Sequence, residues 1–267
     1  MKVQHKVWVI TGAGSGMGRE LTRLFIEKGA KVAALDMNFE ALKETMRLIG
    51  RPEVLALYKV DVTQIGDVEK VISKVIDDFG EVDGIINNAG IIQPFKRISE
   101  LEIGEIERVM NVNFYGTLYL IKSLLPHLVQ RPEAHVVNIS SMGGFLAVPG
   151  QTAYGASKAA VKILTEGLYA ELKNTKVKVS VVFPGAVATN ISVNSGLETP
   201  KPSSESNKSH QALAASKAAE LIFRGIEQDK FRILVGKDAG FMDKFSRMAP
   251  EFATNFIQKK MASLLSH

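Results

Sequence analysis

A tyrosine and a lysine stand four residues apart at Tyr154 and Lys158, with Ser141 thirteen residues upstream of the tyrosine. Unaided, neither group does much near neutral pH: a free phenol keeps its proton to roughly pH 10, and a free ammonium slightly longer. Residues at i and i+4 share a helix face, so the Lys158 ammonium can lie beside the Tyr154 oxygen. A cation there favours the phenolate and lowers the tyrosine pKa, making Tyr154 a usable acid or base. Tyr-x-x-x-Lys is common by chance, so its meaning depends on what surrounds it.

Short β-branched runs, strand candidates, fall at residues 6–10, 31–36, 54–60, 84–86, 135–139, 177–183 and 232–235. Amphipathic stretches at 19–27, 67–79, 105–128, 156–172 and 212–228 separate them. Near-continuous apolar strands alternating with helices predict a parallel sheet covered on both faces. The expected fold class is α/β: a doubly wound, Rossmann-type, mostly parallel seven-stranded sheet in three α/β/α layers. Its ligand would sit beyond the C-terminal strand ends at the switch point. One domain should span residues 1–267, a length that buries about three quarters of the unfolded surface.

Two segments break the rhythm. Residues 190–210, rich in Ser, Asn, Pro and Lys, read as a lid-like loop. In the tail, 243–267, Phe252, Phe256, Met261, Leu264 and Leu265 recur at helical spacing beside Lys259 and Lys260. That face is expected to pack on the body or a sister subunit; weak peripheral membrane association is the alternative.

The chain has 33 basic and 28 acidic residues, a net charge of +5, and no cysteine. Disulfides, thiolate metal sites and thiol nucleophiles are therefore excluded. The basic residues are scattered, without the stripe of a nucleic-acid binder. No apolar run approaches the roughly 20 residues of a membrane span. Residues 1–10 read as a first strand, not a signal peptide. A cytoplasmic protein is the expectation.

Directly after the first strand comes Thr11-Gly-Ala-Gly-Ser-Gly-Met-Gly18. Glycines there permit a tight turn and let a pyrophosphate approach backbone N–H groups at a helix N-terminus. Met17 occupies the third glycine's place of the strict GxGxxG form, so the pattern is Gly-x-x-x-Gly-x-Gly through Gly12, Gly16 and Gly18. Asp36 closes the second strand. A carboxylate there can accept both adenosine ribose hydroxyls and repel a 2′-phosphate. Ser15, Met37 and Asn38 bring no cation near it, so NAD is favoured over NADP.

Together these residues resemble the short-chain dehydrogenase/reductase family, in its single-domain branch. The resemblance runs in order through Thr11–Gly18, Asp36, Asp61-Val62, Asn87-Asn88-Ala89-Gly90, Asn113, Ser141, Tyr154/Lys158 and Pro184-Gly185 with Thr189. It implies that Gly12, Ser15, Gly16, Met17 and Gly18 hold the cofactor, that Asp61 and Val62 meet adenine, and that Asn88, Ala89 and Gly90 form the cofactor floor. Pro184, Gly185, Val187 and Thr189 would meet the nicotinamide end. Ser141 would orient the substrate oxygen, and Tyr154 would exchange a proton with it. Lys158 would tune Tyr154 and bind ribose, while Asn113 would hold a relay water. Asn111 is the nearby rival for that last role.

Ser141, Met142, Phe145, Tyr154 and Ile191 are the candidate substrate contacts, followed in sequence by Leu146, Val148, Val193 and Leu197. With Ile91, Ile92 and Phe95, these apolar positions suggest a hydrophobic alcohol or ketone of steroid, retinoid, fatty or aromatic type. Core packing is the competing reading for them. The family implies a homodimer, through the helices at 105–128 and 156–172, or a tetramer. Three alternatives to the dehydrogenase reading are a non-catalytic dinucleotide sensor, a sugar or polyol dehydrogenase, and a nucleotide-sugar epimerase using the same groups.

Overall fold

The computed structural model describes residues 1–197 and 212–261. Its strands are β1 (Val7–Thr11), β2 (Lys31–Asp36), β3 (Leu55–Lys59), β4 (Gly84–Asn87), β5 (Ala134–Ile139), β6 (Val177–Pro184), β7 (Val187–Ala188), β8 (Leu213–Ala214) and β9 (Arg232–Val235). β7 and β8 form a small parallel pair. The others form one seven-stranded sheet, ordered β3-β2-β1-β4-β5-β6-β9, with every neighbour parallel. Each predicted strand lies within one residue of an observed one at either end.

The helices are α1 (Gly16–Glu27), α2 (Phe39–Ile49), α3 (Ile65–Phe79), α4 (Ile103–Met110), α5 (Gly116–Leu128), α6 (Thr152–Glu171), α7 (Ile191–Asn194), α8 (Ala215–Glu227), α9 (Lys237–Met248) and α10 (Pro250–Lys260). One sheet face packs Trp8, Ile10 and Val182 against Leu21 and Phe25 of α1 and Ile222 of α8. The other packs Val9, Ile85 and Val136 against Ile72 of α3, Leu124 of α5 and Leu168 of α6. This is the three-layer α/β/α Rossmann fold. From β1 the chain winds outward to β2 and β3, then returns and winds the other way from β4. The C-terminal strand ends Thr11 and Asn87 therefore flank a crevice.

Several elements differ from the sequence reading. α2 was not anticipated, because it buries only Leu42 and Thr45 completely and is otherwise a charged surface helix. The single helix expected over 105–128 is α4, a π-helical turn at Asn111–Tyr115, then α5. α6 begins at Thr152, four residues before the expected start at 156, so Tyr154 lies in its first turn.

The tail is two helices broken before Pro250, whose ring suits the first helical turn. Phe252 is exposed, and the buried face is Ala253 and Ile257 with Met261, packed on Leu146. Ala253 lets that face approach closely, which a phenylalanine would prevent. Leu264 and Leu265 lie outside the described residues. Buried Asp243 anchors the tail by accepting from Arg232 and Arg247 at 2.7 Å each. Arg232 also binds Glu166 of α6 at 3.0 Å.

His135 is buried in β5, with Nε2 2.8 Å from Ser180 Oγ and Nδ1 without a hydrogen-bond partner. Burial pushes its pKa down to about 3. An unfolded histidine takes its proton near pH 6.5. Between these values the unfolded chain binds the extra proton, so stability is lost as pH falls through that window. The His135→Gln variant should lose less stability over it, by about 1 kcal/mol per pH unit below roughly pH 6. Urea unfolding at a series of pH values checks this.

Candidate active site

A cleft of about 1110 Å³ opens at the C-terminal ends of the strands. Its floor starts at the turn between β1 and α1, where Gly12 and Gly16 have φ of 65° and 51°, values that suit glycine. A Cβ on Gly18 would stand 2.0 Å from the Gly12 carbonyl oxygen, so only glycine lets α1 pack that close. Thr11 Oγ1 accepts from Asn88 N and Ala89 N at 3.0 Å each, and Asn88 Nδ2 donates to Thr11 O at 3.0 Å. The two loops that form the floor are thus tied to each other.

Asp36 has both carboxylate oxygens in use: Oδ2 accepts from Gly14 N and Oδ1 from Asn38 N, at 2.9 Å each. These bonds fix the carboxylate at the cleft edge without neutralising it. The Arg19 guanidinium, in the first turn of α1, is directed to Thr45 Oγ1 and the Gly14 carbonyl. The α1 N-terminus borders the cleft through Ser15, Gly16 and Met17 and has no side-chain cap, an arrangement that suits an anionic group. Gly12, Ser15, Gly16, Met17, Asp61, Val62, Asn88, Ala89, Gly90, Pro184, Gly185, Val187 and Thr189 line the same cleft. Gly18 lies beneath the floor.

Tyr154, Lys158 and Ser141 share a wall of this cleft. Ser141 precedes a 3₁₀ turn, Met142–Gly144, and its Oγ accepts from Gly143 N at 3.0 Å. The Ser141 hydroxyl lies beside the Tyr154 phenol. Lys158, 4% exposed, donates from Nζ to the Ile139 carbonyl at 3.0 Å. A Cβ on Gly90 would stand 3.1 Å from Lys158 Nζ and 3.2 Å from Asn113 Oδ1, so this glycine lets both groups close on the floor.

Burial pushes the Lys158 ammonium down to about 8. It also raises the Tyr154 phenol pKa, with only the neighbouring Ser141 hydroxyl opposing. The expectation that Lys158 by itself lowers the tyrosine pKa is therefore not met in the protein alone. Both groups are desolvated, and the ammonium is committed to a backbone carbonyl.

Asn113 lies fully buried in the π-helical turn, whereas Asn111 is exposed. The Asn113 Oδ1 accepts from Ile91 N at 2.9 Å, and its Nδ2 donates to Ile91 O at 3.0 Å and Ser157 Oγ at 2.9 Å. Asn113 therefore clips the loop after the floor to α6. π-Turns of this kind occur frequently at functional sites.

Ile191 lines the cleft beside Val193, Ile91 and Ile92. Met142 and Phe145 do not. They turn away with the 3₁₀ segment and pack beside Leu146 and Val148 against α9 and α10. Leu146 is buried in that cluster, and Met142, Phe145 and Val148 are half-buried against it. Of the lid expected over 190–210, residues 198–210 lie outside the described residues. α7 crosses the cleft: Asn194 Nδ2 donates to Ser15 Oγ at 2.8 Å, and Ser195 Oγ accepts from Ile92 N at 2.9 Å. Two polar side chains near the site had no signal in the sequence. Arg108 lines the cleft and donates to the Ser195 carbonyl at 3.2 Å, while buried Gln93 binds at the start of α6. Both depend on contacts across long sequence separations.

The fold and the site together define an NAD(P)-binding oxidoreductase. The family model for short chain dehydrogenases matches residues 6–199, and the chain belongs to that family. It is 38% identical over 255 residues to the SadH protein of Mycobacterium tuberculosis, covering 92% of this chain and 91% of that one. A short chain dehydrogenase/reductase of Burkholderia phymatum, solved in complex with NAD, superposes with a TM-score of 0.85 at 27% identity, covering 94% and 96% of the two chains. A short chain dehydrogenase of Burkholderia cenocepacia in complex with NADP superposes at 0.79 with 25% identity over 100% of both chains. No helix among the described residues is long and apolar enough to cross a membrane.

Proposed function

We propose that the chain transfers hydride between NAD and a secondary alcohol or ketone with apolar substituents. The carrying observation is that Ser141, Tyr154 and Lys158 converge in the wall of the cleft that the glycine loop and Asp36 border. NAD held by the glycine loop and Asp36 would supply a hydride acceptor and a positive charge in the cleft, with Tyr154 serving there as the phenolate. The Ser141 hydroxyl would hold the substrate oxygen, and Tyr154 would receive its proton, leaving a ketone. In reduction the same groups act in reverse. Lys158 would bind the nicotinamide ribose while its ammonium offsets the phenolate, and Asn113 would support a water path from Lys158 to solvent. Ile91, Ile92, Ile191 and Val193 supply an apolar wall, which favours a hydrophobic substrate. Exposed Ile163 and Tyr169 on α6 suit a homodimer through that helix, and the absence of cysteine suits the cytoplasm.

Absorbance of NADH, followed across a panel of hydrophobic and polyol alcohols, tests this reading. A rise with hydrophobic secondary alcohols supports it. A silent panel, with NAD binding demonstrated, would favour the sensor instead.

The cofactor preference rests on Asp36. Asp36→Ala should weaken NAD binding by roughly tenfold or more, because a hydrogen bond to a charged group contributes about 1.5–3 kcal/mol. NADP binding should change little or improve, since a repulsive charge is removed. Calorimetric titration of both cofactors checks this. Tighter NADP binding by the unaltered protein would overturn the assignment.

A further inference from the structure

The first turn of α6 holds Tyr154 at its third position, where a backbone N–H has no partner within the helix. A capping side chain normally accepts from that amide. Gln151, the residue at the cap position, makes no such bond. Its Nε2 donates instead to the Gln93 carbonyl at 2.8 Å. The amide of Tyr154 is capped from outside the helix: Gln93 Oε1 accepts from Tyr154 N at 2.9 Å. Gln93 Nε2 donates to the Gly150 carbonyl, also at 2.9 Å. Gln93 is 1% exposed and lies three residues after Gly90 of the cofactor floor.

We infer that Gln93 is a positioning residue for the acid–base tyrosine, on the reading of the site proposed above. Its carboxamide satisfies one donor and one acceptor at the start of α6, and its backbone carbonyl holds the cap residue. A buried side chain with both ends engaged has one orientation, because rotation would leave two polar groups unpaired. The loop that carries the floor is thereby keyed to the backbone of Tyr154. The distance between cofactor and phenol is set by this clamp as well as by the helix. Displacements near 1 Å at a reacting centre can cost on the order of 100-fold in rate.

Gln93→Met keeps the length of the side chain and removes both hydrogen-bonding ends. It should lower kcat by roughly 10- to 100-fold, with KM and the NADH dissociation constant within about twofold of the parent. Gln93→Glu separates positioning from bulk packing. A protonated glutamic acid reproduces the pattern of one donor and one acceptor, whereas a carboxylate repels the Gly150 carbonyl. Its kcat, relative to the parent, should therefore rise as pH falls, and the ratio for Gln93→Met should stay flat. The alcohol used is whichever one the parent oxidises fastest in the panel.

A readout without substrate accompanies these. The ultraviolet difference titration of the NAD-loaded protein against its Tyr154→Phe variant isolates the Tyr154 phenol. Gln93→Met should displace that titration, because the Tyr154 backbone that Gln93 holds is released and the phenol moves relative to its neighbours. A parent that oxidises no alcohol overturns the functional reading, yet the titration still reports on Gln93. Parental kcat and an unmoved phenol titration in Gln93→Met would overturn the inference. So would a pH-independent Gln93→Glu ratio, or loss of NADH binding in step with kcat.

Discussion

Tyr154→Phe should lower turnover by roughly 10²–10⁴-fold, the usual contribution of a positioned acid–base group, while NADH binds within about twofold of the parent affinity. The ring fits the same space beside Gly143 and keeps the helix contacts of Tyr154. Only the phenolic oxygen is lost. Ser141 Oγ still accepts from Gly143 N, so the turn that carries it is retained. Steady-state turnover with an alcohol from the panel, set beside NADH fluorescence titration, checks both halves. Near-parental turnover would remove Tyr154 from its role.

Loss of Lys158 should be felt twice. Lys158→Met retains the apolar stem but removes the ammonium and its bond to the Ile139 carbonyl. On the proposed mechanism the same ammonium holds the nicotinamide ribose, and such a bond contributes about 1.5–3 kcal/mol. The NADH dissociation constant should rise roughly tenfold to a hundredfold. Turnover at saturating cofactor should also fall by about 10² or more, because the phenolate loses its neighbouring cation. Measuring affinity and kcat separately distinguishes this pattern from that of Tyr154→Phe. Unchanged cofactor affinity in Lys158→Met would confine Lys158 to the chemistry alone.

The parts of this molecule that were legible in its sequence follow from short-range physics. Seven short apolar runs locate the sheet, and the glycines after Ile10 mark a turn whose positive φ values suit glycine. The spacing of Tyr154 and Lys158 places them on one helical face wherever the helix starts. Met142 and Phe145 were ambiguous in the sequence because an apolar residue after the serine can face either way. The 3₁₀ turn and the packing of Leu146 on Ile257 decide its direction. The helical spacing of Phe252 and Phe256 competes with that of Ala253 and Ile257 for the face turned to the body, and only the shape of the surface beneath selects between them. Gln93 and Arg108 gave no local signal, since each acts on a partner 61 or 87 residues away.

The central claim is that hydride passes between a carbinol carbon and a nicotinamide in this cleft, with Tyr154 managing the proton. Its most direct test uses an alcohol carrying deuterium at the carbinol carbon, incubated with NAD and the protein, and the mass of the NADH formed. The account predicts one deuterium in the NADH made by the parent protein and almost no NADH from Tyr154→Phe. Unlabelled NADH, or labelled NADH formed equally well by Tyr154→Phe, would contradict it.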